Sequence, residues 1–331
     1  MTHTIVNTNA LAGKRVVVTG GSGFLGSHIV QRLIQEGAVV GALARTEGKL
    51  ALIKPHCAYS FLKCDVTDAE ETVETIVSFA PQILFHFAAS PDAHEKFSQA
   101  QSCIHGNLTG TLNTLEAFRL CGGELFVYGD SCKVYGNSEA PYREAMPVQP
   151  ISSYSITKAA GWQFCDLYRK LHGMATVSVR PTLTYGPWQS YNLISFVVGC
   201  VLDCKREVRL AGGTQTRDPL FVSDTIGAFL AAARLGAKVS GRVINIGGGR
   251  EISVAQLTAM ILELMGSRLP IISLQSDARP TEMWRNYCDN VEANEILGWW
   301  PRTDLRTGLK KTIQYLIESR AVPAVQPKGS E

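Results

Sequence analysis

Short apolar runs alternate with amphipathic stretches along the first 180 residues of the chain. The first run is continuous, as expected for a parallel strand buried on both faces, and the apolar spacing after it changes to the helical period. Strands are predicted at Arg15–Thr19, Val39–Ala44, Ala58–Leu62, Ile83–Phe87, Leu125–Tyr128 and Thr176–Val179, and helices at Gly26–Gln35, Ala69–Phe79, Asn107–Leu120 and Tyr154–Leu171. This alternation predicts an α/β fold with a Rossmann-type, doubly wound parallel sheet.

The second half of the chain departs from this alternation. One further strand is predicted at Val243–Ile246, and helices are predicted at Leu193–Asp203, Val254–Met265 and Thr307–Glu318. We therefore expect a Rossmann domain at residues 1–185, to which segments near 218–248 return. A smaller C-terminal substrate-binding domain is expected at 186–320, followed by a disordered tail at 321–331.

The composition is that of a globular protein, because hydrophobic residues make up 45% and charged residues 18% of the sequence. Lys plus Arg (32) nearly balance Asp plus Glu (29), and no long block of like charge occurs. This balance argues against nucleic acid or a membrane surface as a partner. The polar N-terminus does not resemble a signal peptide, and no apolar run approaches the roughly 18 residues of a membrane span.

Nine cysteines are scattered along the chain without a CxxC pair. Cys200 and Cys204 are four residues apart, but no histidine pair accompanies them, so we expect no metal site. Scattered thiols without an even, clustered spacing are typical of a reducing compartment. The sequence therefore predicts a cytoplasmic protein.

A glycine-rich segment joins the first predicted strand to the first predicted helix, and it reads TGGSGFLG over residues 19–26. In such a loop one glycine closes the tight turn, another lets the backbone approach a pyrophosphate, and the last lets the helix pack close to the strand. The N–H groups at the helix N-terminus then bind the phosphates. The strand–loop–helix context predicts that a dinucleotide is bound by Gly20, Gly23, Phe24, Leu25 and Gly26.

The end of the second predicted strand bears on the choice between NAD and NADP. A carboxylate there binds the ribose hydroxyls of NAD, but this position holds Ala44, and the next residue is Arg45. The guanidinium of Arg45 either binds a 2′-phosphate or stacks on the adenine or faces solvent. The cofactor is therefore predicted as NAD or NADP with a slight preference for NADP. Asp65 and Val66, after the third predicted strand, are expected to contact the adenine.

Tyr154 and Lys158 are four residues apart and are predicted to lie on one face of a helix. A buried ammonium beside a phenol favours the phenolate, so it is expected to lower the pKa of the phenol. The same lysine can hold the nicotinamide ribose. Ser131 follows a predicted strand end, where ligands bind in open α/β sheets, and can hydrogen-bond the hydroxyl that Tyr154 deprotonates. These three residues, in this order after the glycine loop, predict a catalytic site.

Short segments spread over most of the chain carry a resemblance to a known family. They are VTGGSGFLGSH (18–28), CDVTD (64–68), HFAAS (86–90), NLTGTLNTLEA (107–117), SxxVYG (131–136), YSITK (154–158), RPTLTYGP (180–187), NLI (192–194), RDPLFVSDT (217–225), NIGGG (245–249) and LGW (297–299). With these segments the sequence resembles the extended short-chain dehydrogenases/reductases that modify nucleotide-diphosphate sugars, the epimerase/dehydratase group.

The resemblance implies a role for several residues around the cofactor. Ser131, Tyr154 and Lys158 are similar to the catalytic triad of that family, in which the tyrosine and the lysine also contact the cofactor. Ala88 and Asn107 fall in segments that resemble the cofactor-lining segments of the family.

The same resemblance implies that three residues bind a nucleotide-diphosphate sugar. Asn192 resembles the residue that contacts the nucleotide diphosphate. Arg217 and Arg279 resemble the arginines that hold the nucleotide ribose and diphosphate, a role that suits the guanidinium group. Family members usually carry an asparagine at the position of Leu183, so one polar contact to the substrate differs here.

The two residues after Ser131 bear on the net reaction. Simple 4-epimerases of the family carry small residues there, whereas the 4,6-dehydratases carry an acidic pair, a glutamate or, for CDP-glucose, Asp-Lys. This sequence has Cys132 and Lys133. Lys133 can abstract the proton next to a keto group if burial lowers its pKa, and Cys132 can protonate a leaving hydroxyl. Alternatively, Lys133 binds a carboxylate or phosphate and Cys132 fills space.

We therefore expect an NAD(P)-dependent nucleotide-diphosphate-sugar epimerase or dehydratase that acts through a transient 4-keto-sugar, with a slight preference for the dehydratase. The alternatives are a 4-epimerase, an NADPH-dependent keto-sugar reductase and a non-catalytic dinucleotide-sensing protein. The resemblance also implies a homodimer through the helices Asn107–Leu120 and Tyr154–Leu171. Their apolar residues include Leu112, Leu115, Phe164 and Leu167.

Overall fold

The computed structural model of the chain describes residues 10–53, 58–90 and 95–321. Its strands are β1 (Arg15–Thr19), β2 (Val39–Ala44), β3 (Ser60–Lys63), β4 (Ile83–His86), β5 (Leu125–Gly129), β6 (Thr176–Pro181), β7 (Leu183–Tyr185), β8 (Val208–Ala211), β9 (Thr216–Arg217), β10 (Pro219–Phe221), β11 (Val243–Ile246), β12 (Ile252–Ser253) and β13 (Ile271–Leu274). Its α-helices are α1 (Phe24–Gln35), α2 (Ala69–Phe79), α3 (Phe97–Cys103), α4 (Gly110–Cys121), α5 (Ser153–His172), α6 (Leu193–Leu202), α7 (Val222–Leu235), α8 (Val254–Leu264), α9 (Val291–Leu297) and α10 (Leu305–Ala321). The tail predicted at 321–331 lies outside the described residues, apart from Ala321 at the end of α10.

The strands predicted from the apolar runs form one parallel sheet. Within the described residues it contains seven strands, in the order β11-β6-β5-β4-β1-β2-β3. Helices α1 and α7 pack on one face of this sheet, and α2, α4 and α5 pack on the other. The direction of the strand order reverses between β1 and β4, which creates a crevice at the carboxyl ends of these strands. The arrangement confirms the predicted α/β, Rossmann-type doubly wound sheet.

Strand β1 shows why a strand of this kind is apolar throughout. Val16 and Val18 point into the core that contains α1 and α7, and Val17 points into the core that contains α2 and α4. All three side chains are fully buried. Because successive side chains of a strand point to opposite faces, a strand covered by helices on both faces needs an apolar residue at every position.

The sequence pattern does not predict α7. Most of its side chains are buried, since the helix lies between the sheet and the helices α1 and α9. A helix that is buried nearly all round lacks the polar face that reveals the helical period. This helix falls within the segment near 218–248 that we expect to return to the Rossmann domain, and β11 joins the large sheet beside β6. The domain boundaries themselves stay a prediction.

The helix predicted at Asn107–Leu120 begins later than expected. Helix α4 starts at Gly110, and a π-helical turn at Ile104–Thr109 joins it to α3. Asn107 lies in this turn with a fully buried side chain. Its amide accepts a hydrogen bond from the backbone N–H of Ser90 at 2.6 Å and donates one to Thr157 Oγ1 at 2.9 Å. A π turn of this kind is frequent at functional sites, and here it ties the segment after β4 to helix α5.

The expected dimer interface needs one correction on the same helix. Leu115 is fully buried in the core of its own chain, so it cannot contact a second copy. Leu112 and Phe164 are partly buried. Leu120 and Leu171 are 51% and 66% exposed, and Leu167 and Ile156 are also exposed, so these helices present several apolar residues at the surface.

Small two-stranded sheets build the C-terminal part. Strand β8 pairs in parallel with β13, β9 pairs antiparallel with β12, and β7 pairs in parallel with β10. These strands have between two and four residues, which is too short for an alternating pattern to be recognised in the sequence. They place the segment around Arg217 beside the segment that follows β13.

Candidate active site

The glycine loop predicted to bind a dinucleotide is closely packed. Gly20 has a φ of 65°, and a Cβ atom on it would lie 2.7 Å from the backbone nitrogen of Ala88. A Cβ atom on Gly26 would lie 2.1 Å from the carbonyl oxygen of Gly20. Helix α1 begins directly after Gly23, so its first, unpaired N–H groups face the loop. The loop therefore brings bare backbone to the positive end of a helix, which suits a pyrophosphate.

A cavity of about 810 Å³ opens beside this loop, at the carboxyl ends of β1, β2, β3 and β4. Six of the residues predicted to contact the cofactor line it, namely Gly20, Gly23, Arg45, Asp65, Val66 and Ala88. Phe24 and Leu25 instead pack against the apolar core behind the loop. The position of the cavity at the switch point of the sheet, together with its volume, fits a bound dinucleotide.

Arg45 and Asp65 lie opposite each other on this cavity. The guanidinium of Arg45 lies 3.9 Å from a carboxylate oxygen of Asp65, and the Arg45 side chain is 78% exposed. The other oxygen of Asp65 accepts hydrogen bonds from the backbone N–H and the hydroxyl of Thr67. A carboxylate is therefore held beside the arginine that is predicted to bind a 2′-phosphate.

The structure brings together the three residues predicted to be catalytic. Ser131 follows β5, and Tyr154 and Lys158 occupy the first two turns of α5. The Lys158 ammonium donates a hydrogen bond to the carbonyl oxygen of Gly129 at 2.7 Å and lies 6.0 Å from the centre of the Tyr154 ring. Ser131 is hydrogen-bonded to the Tyr154 phenol. This arrangement can accept a proton from a hydroxyl group that reaches Ser131 and Tyr154 together.

The pKa of Tyr154 does not follow the expectation drawn from the sequence. Burial raises this pKa above its ordinary value, the nearby charge of Asp130 raises it further, and the hydrogen bond with Ser131 lowers it. Burial also lowers the pKa of Lys158 to about 8. Desolvation therefore outweighs the neighbouring ammonium in setting the pKa of the phenol.

A buried ion pair beneath Ser131 was not singled out by the sequence analysis. Arg180 Nε lies 2.7 Å from a carboxylate oxygen of Asp130, and both side chains are almost fully buried. The carboxylate also accepts hydrogen bonds from the Ser178 hydroxyl and from the backbone N–H of Ser131. Asp130 and Arg180 directly follow the paired residues of two neighbouring strands, Gly129 and Val179. Opposite charges at the ends of two adjacent apolar runs were the signal that could have revealed the pair.

Cys132 and Lys133 point in different directions because they lie in a 3₁₀ turn, Cys132–Tyr135. Side chains three residues apart coincide in such a turn, and neighbours diverge. The fully buried Cys132 thiol donates to the carbonyl of Arg180 at 3.1 Å, and the Tyr135 hydroxyl on the same side donates to Asn245 at 3.0 Å. Lys133 is exposed, and its ammonium lies 5.4 Å from the centre of the Tyr154 ring.

These positions correct the two roles considered for the dehydratase reaction. Cys132 has no exposed surface from which to protonate a leaving hydroxyl, so its placement favours the space-filling alternative. The burial that Lys133 would need to become a base is not supplied by the chain around it. The proximity of Lys133 to Tyr154 nevertheless keeps an ammonium beside the predicted base.

The two arginines implied in substrate binding meet at one short turn. The Arg217 guanidinium forms an ion pair with Glu282 and donates to the carbonyl oxygen of Met283 at 2.9 Å. The backbone N–H of Glu282 in turn bonds to the carbonyl of the exposed Arg279 at 3.0 Å. Asn137, two residues beyond the 3₁₀ turn, donates to the Glu282 carbonyl at 3.1 Å. The turn at residues 279–283 is thereby attached to the segment that carries Ser131. Glu282, which pairs with Arg217, is a residue of this region that the sequence does not single out.

Asn192 lies at the N-terminus of α6. Its side-chain oxygen accepts a hydrogen bond from the backbone N–H of Ser195 at 2.8 Å, and its amide nitrogen donates to Gln189. Asn192, the residue that the resemblance assigns to the diphosphate, thus caps α6. The roles of Asn192 and Arg217 in binding a substrate stay predictions.

A buried histidine behind the cavity makes a pH-dependent contribution to the stability of the protein. His86 Nδ1 lies 2.8 Å from Thr19 Oγ1, and Nε2 lies 3.0 Å from Thr111 Oγ1. Burial lowers the pKa of His86 from 6.5 to about 3. As the pH is lowered through 6.5, His86 is therefore protonated in the unfolded chain but stays neutral in the folded chain. The contribution of His86 to stability is complete above pH 6.5 and falls as the pH is lowered, by up to about 1.4 kcal/mol per pH unit.

We expect His86→Gln to cost stability at pH 7 and to cost about 2 kcal/mol less at pH 5. Burial raises the pKa of Asp218 and of Glu144 to about 7, so these two groups make the folded chain more stable as the pH is lowered. The difference between wild type and variant removes their effect and isolates that of His86. Urea unfolding of both proteins at the two pH values measures the difference. A gap between wild type and variant that stays constant with pH would contradict the assignment.

The geometry agrees with a comparison of the whole chain with known protein families. The model of the NAD dependent epimerase/dehydratase family matches residues 16–247. The chain belongs to this family. The predicted class of enzyme, an NAD-dependent nucleotide-diphosphate-sugar epimerase or dehydratase, is confirmed at that level.

The relatives of this chain include both epimerases and dehydratases. The chain is 33% identical to a UDP-glucose 4-epimerase of Mycolicibacterium smegmatis, over 91% of this chain and 98% of the relative. It is 28% identical to the dTDP-D-glucose 4,6-dehydratase of Bos taurus, over 92% of this chain and 89% of the relative. The solved structure of UDP-glucuronic acid 4-epimerase from Bacillus cereus, in complex with UDP-glucuronic acid and NAD, superposes with a TM-score of 0.86 at 25% identity, covering 92% of this chain and 99% of that one.

Across 10–53, 58–90 and 95–321, no three side chains of His, Cys, Asp or Glu are grouped to hold a metal ion. In the same ranges, none of the helices combines the length and the apolar character needed to cross a membrane.

Proposed function

We propose that the protein is a UDP-sugar 4-epimerase that uses NAD. The observation that carries this proposal is the 3₁₀ turn after Ser131, where a buried thiol and an exposed ammonium stand in place of the acidic pair of the 4,6-dehydratases. Without a buried acid and base at these two positions, the turn lacks the pair that the 4,6-dehydratases are expected to use for elimination. The relative with 33% identity, a UDP-glucose 4-epimerase, supports the same choice.

In this proposal the side chains around Ser131 move one proton. Tyr154 removes the proton of the sugar C4 hydroxyl, and Ser131 holds that hydroxyl by a hydrogen bond. Lys158, fixed on the carbonyl of Gly129, binds the nicotinamide ribose. When bound, NAD would supply the hydride acceptor for C4 and the hydride donor for the return step. Tyr154 then gives the proton back, and a sugar that has turned over in the pocket leaves as the C4 epimer. Arg217 and Arg279 hold the diphosphate meanwhile.

A 4,6-dehydratase is the second candidate, and one contact favours it. The Lys133 ammonium lies 5.4 Å from the centre of the ring of Tyr154, the residue proposed to act on the C4 hydroxyl of the sugar. A lysine there can act as the base for elimination once a bound substrate covers it. The epimerase and the dehydratase proposals differ in the expected effect of removing the Lys133 side chain on turnover.

Incubation with UDP-, GDP-, CDP- and dTDP-sugars, followed by mass spectrometry, tests the proposal. We expect a new isomer of unchanged mass from a UDP-sugar, and we expect Lys133→Ala to retain turnover within about tenfold, because the lysine is not the base. Loss of the mass of one water, with a drop of about a thousandfold in Lys133→Ala, would establish the dehydratase instead. A gain of two hydrogens would identify a keto-sugar reductase.

We infer that NAD is preferred over NADP, in contrast to the preference expected from Arg45. The carboxylate of Asp65 beside Arg45 supports this, because a fixed negative charge repels a 2′-phosphate. Titration of the nucleotide-free protein is expected to show NAD binding about tenfold or more tighter than NADP, and Asp65→Asn should narrow the gap. Equal or tighter binding of NADP would contradict the inference.

We further propose that the enzyme is a cytoplasmic homodimer. The exposed leucines of α4 and α5, Leu120, Leu167 and Leu171, support an association through these two helices. The scattered cysteines support a reducing compartment.

A further inference from the structure

The segment Gly186–Asn192, called the strap below, leads from β7 to α6 and lies against helix α1. His28 on α1 contacts two of its residues. The His28 Nε2 atom lies 3.0 Å from the carbonyl oxygen of Pro187, and the His28 ring stacks on the Trp188 indole with 4.4 Å between centroids and 22° between planes. Phe24, the first residue of α1, packs edge-on against the same imidazole at 5.5 Å. The strap is therefore joined through aromatic contacts to the helix that follows the glycine loop.

A second contact attaches the strap on the other side of the glycine loop. The Lys49 ammonium donates a hydrogen bond to the Ser190 hydroxyl at 2.8 Å. The backbone N–H of Lys49 donates to the carbonyl oxygen of Ser22, within the glycine loop, at 3.1 Å. The glycine loop is thus connected to the strap both through His28 on α1 and through Lys49.

The backbone of Trp188 indicates that the strap is held in place by these contacts. Trp188 has a φ of 69°, a left-handed conformation that a bulky residue rarely adopts. Such a conformation persists where the surrounding structure determines it, and it is concentrated at functional sites. The stack on His28 is one of the contacts that hold the Trp188 side chain, which also packs against the apolar core.

The far end of the strap is Asn192, which caps α6. Gln189 of the strap accepts a hydrogen bond from the Asn192 amide, while the Asn192 oxygen accepts from the backbone N–H of Ser195 at 2.8 Å. The position of the α6 N-terminus is therefore set by the strap. Because the strap is attached to the glycine loop at its other contacts, the two binding regions share one connected element.

We propose that His28 and Trp188 are positioning residues that couple dinucleotide binding at the glycine loop to nucleotide-sugar binding at the N-terminus of α6. The inference rests on the proposed function for a nucleotide-sugar substrate, and on the role as a diphosphate contact that the family resemblance implies for Asn192. Order imposed on the glycine loop by NAD fixes α1, then the strap, and then Asn192. By linkage, each ligand strengthens the binding of the other by the same factor.

Calorimetric titration with UDP, of the nucleotide-free protein and of the protein saturated with NAD, measures the coupling. We expect wild type to bind UDP about tenfold more tightly when NAD is present. In Trp188→Gly and in His28→Ala this tenfold coupling factor is expected to fall to about one. The double variant Trp188→Gly with His28→Ala should show no further loss, because both substitutions remove the same ring stack. Glycine accepts the left-handed backbone, so Trp188→Gly removes the stack without adding strain. Trp188→Phe keeps a ring over His28 and should keep most of the factor.

Steady-state kinetics and a matched control separate coupling from general damage. Trp188→Gly is expected to raise KM for the sugar nucleotide about tenfold with kcat within twofold of wild type. Trp300→Gly removes an equally large side chain, 53% exposed and outside the strap, and should change neither the coupling factor nor KM. If Trp188→Gly does not fold, Lys49→Met breaks the second attachment from the surface and should reduce the factor by itself.

Unchanged coupling in Trp188→Gly and Lys49→Met would overturn the inference while leaving the proposed function intact. If wild type fails to bind UDP but binds dTDP, CDP or GDP, the proposed substrate class is wrong, and the coupling is measured with that nucleotide instead. Absence of binding of every nucleoside diphosphate would overturn both.

Discussion

Tyr154→Phe is expected to lower turnover by about 10²–10⁴-fold, the usual contribution of a positioned general base, while NAD binding stays nearly intact. The substitution removes the phenolic oxygen that bonds to Ser131 and leaves the ring in place between Lys133 and Lys158. Burial keeps the pKa of Tyr154 above its ordinary value. Initial rates with the active sugar nucleotide and a parallel NAD titration measure the two effects.

A tyrosine on the same helix provides the control. Tyr168 of α5 donates its hydroxyl hydrogen bond to Glu116 at 3.3 Å, far along the helix from Ser131. Tyr168→Phe therefore removes one hydroxyl from α5 and is expected to change turnover less than twofold. A Tyr154→Phe variant that retained more than about a tenth of the wild-type rate would remove Tyr154 from the role of base.

The parts of the site that sequence reasoning places correctly are those fixed by local pattern. Tyr154 and Lys158 share a helix face because four residues make about one turn, and Ser131 reaches the same place because parallel strands end at one edge of the sheet. Gly20 and Gly26 follow the same logic, since close backbone approach excludes a side chain at both positions. The spacing along the chain already contains this geometry.

The parts that it misjudges depend on contacts between distant segments. Whether Cys132 or Lys133 faces the substrate depends on the rotation of a 3₁₀ turn, which is set by packing against Arg180 and Asn245 from other strands. The pKa of Tyr154 depends on how much of the phenol is desolvated, and spacing along a helix does not contain that quantity. For the same reason helix α7, whose neighbours cover it on several sides, leaves no period in the sequence.

Arg180→Met is expected to destabilise the protein by about 3–5 kcal/mol, the cost of leaving a buried charge without its partner. The Arg180 guanidinium is bonded to Asp130 at 2.7 Å and to the Tyr135 hydroxyl at 3.0 Å, and the Asp130 carboxylate is fully buried. Methionine fills similar volume but cannot balance the carboxylate. Since Asp130 also accepts the backbone N–H of Ser131, the variant should lose turnover as well as stability.

Chemical denaturation of three further variants distinguishes the lost charge from lost volume. Arg209→Met removes an exposed arginine, 74% accessible and paired with Glu207, and is expected to cost less than about 1 kcal/mol. Asp130→Asn alone should be strongly destabilising, because it leaves Arg180 buried and unmatched. The double variant Asp130→Asn with Arg180→Met carries no buried charge at this position. Its loss of unfolding free energy should therefore be smaller than the sum of the two single losses. We expect the difference to exceed about 1 kcal/mol, which is the order of the coupling between contacting residues. Additive costs would show instead that packing around the two side chains, rather than their charges, holds the loop of Ser131 in place.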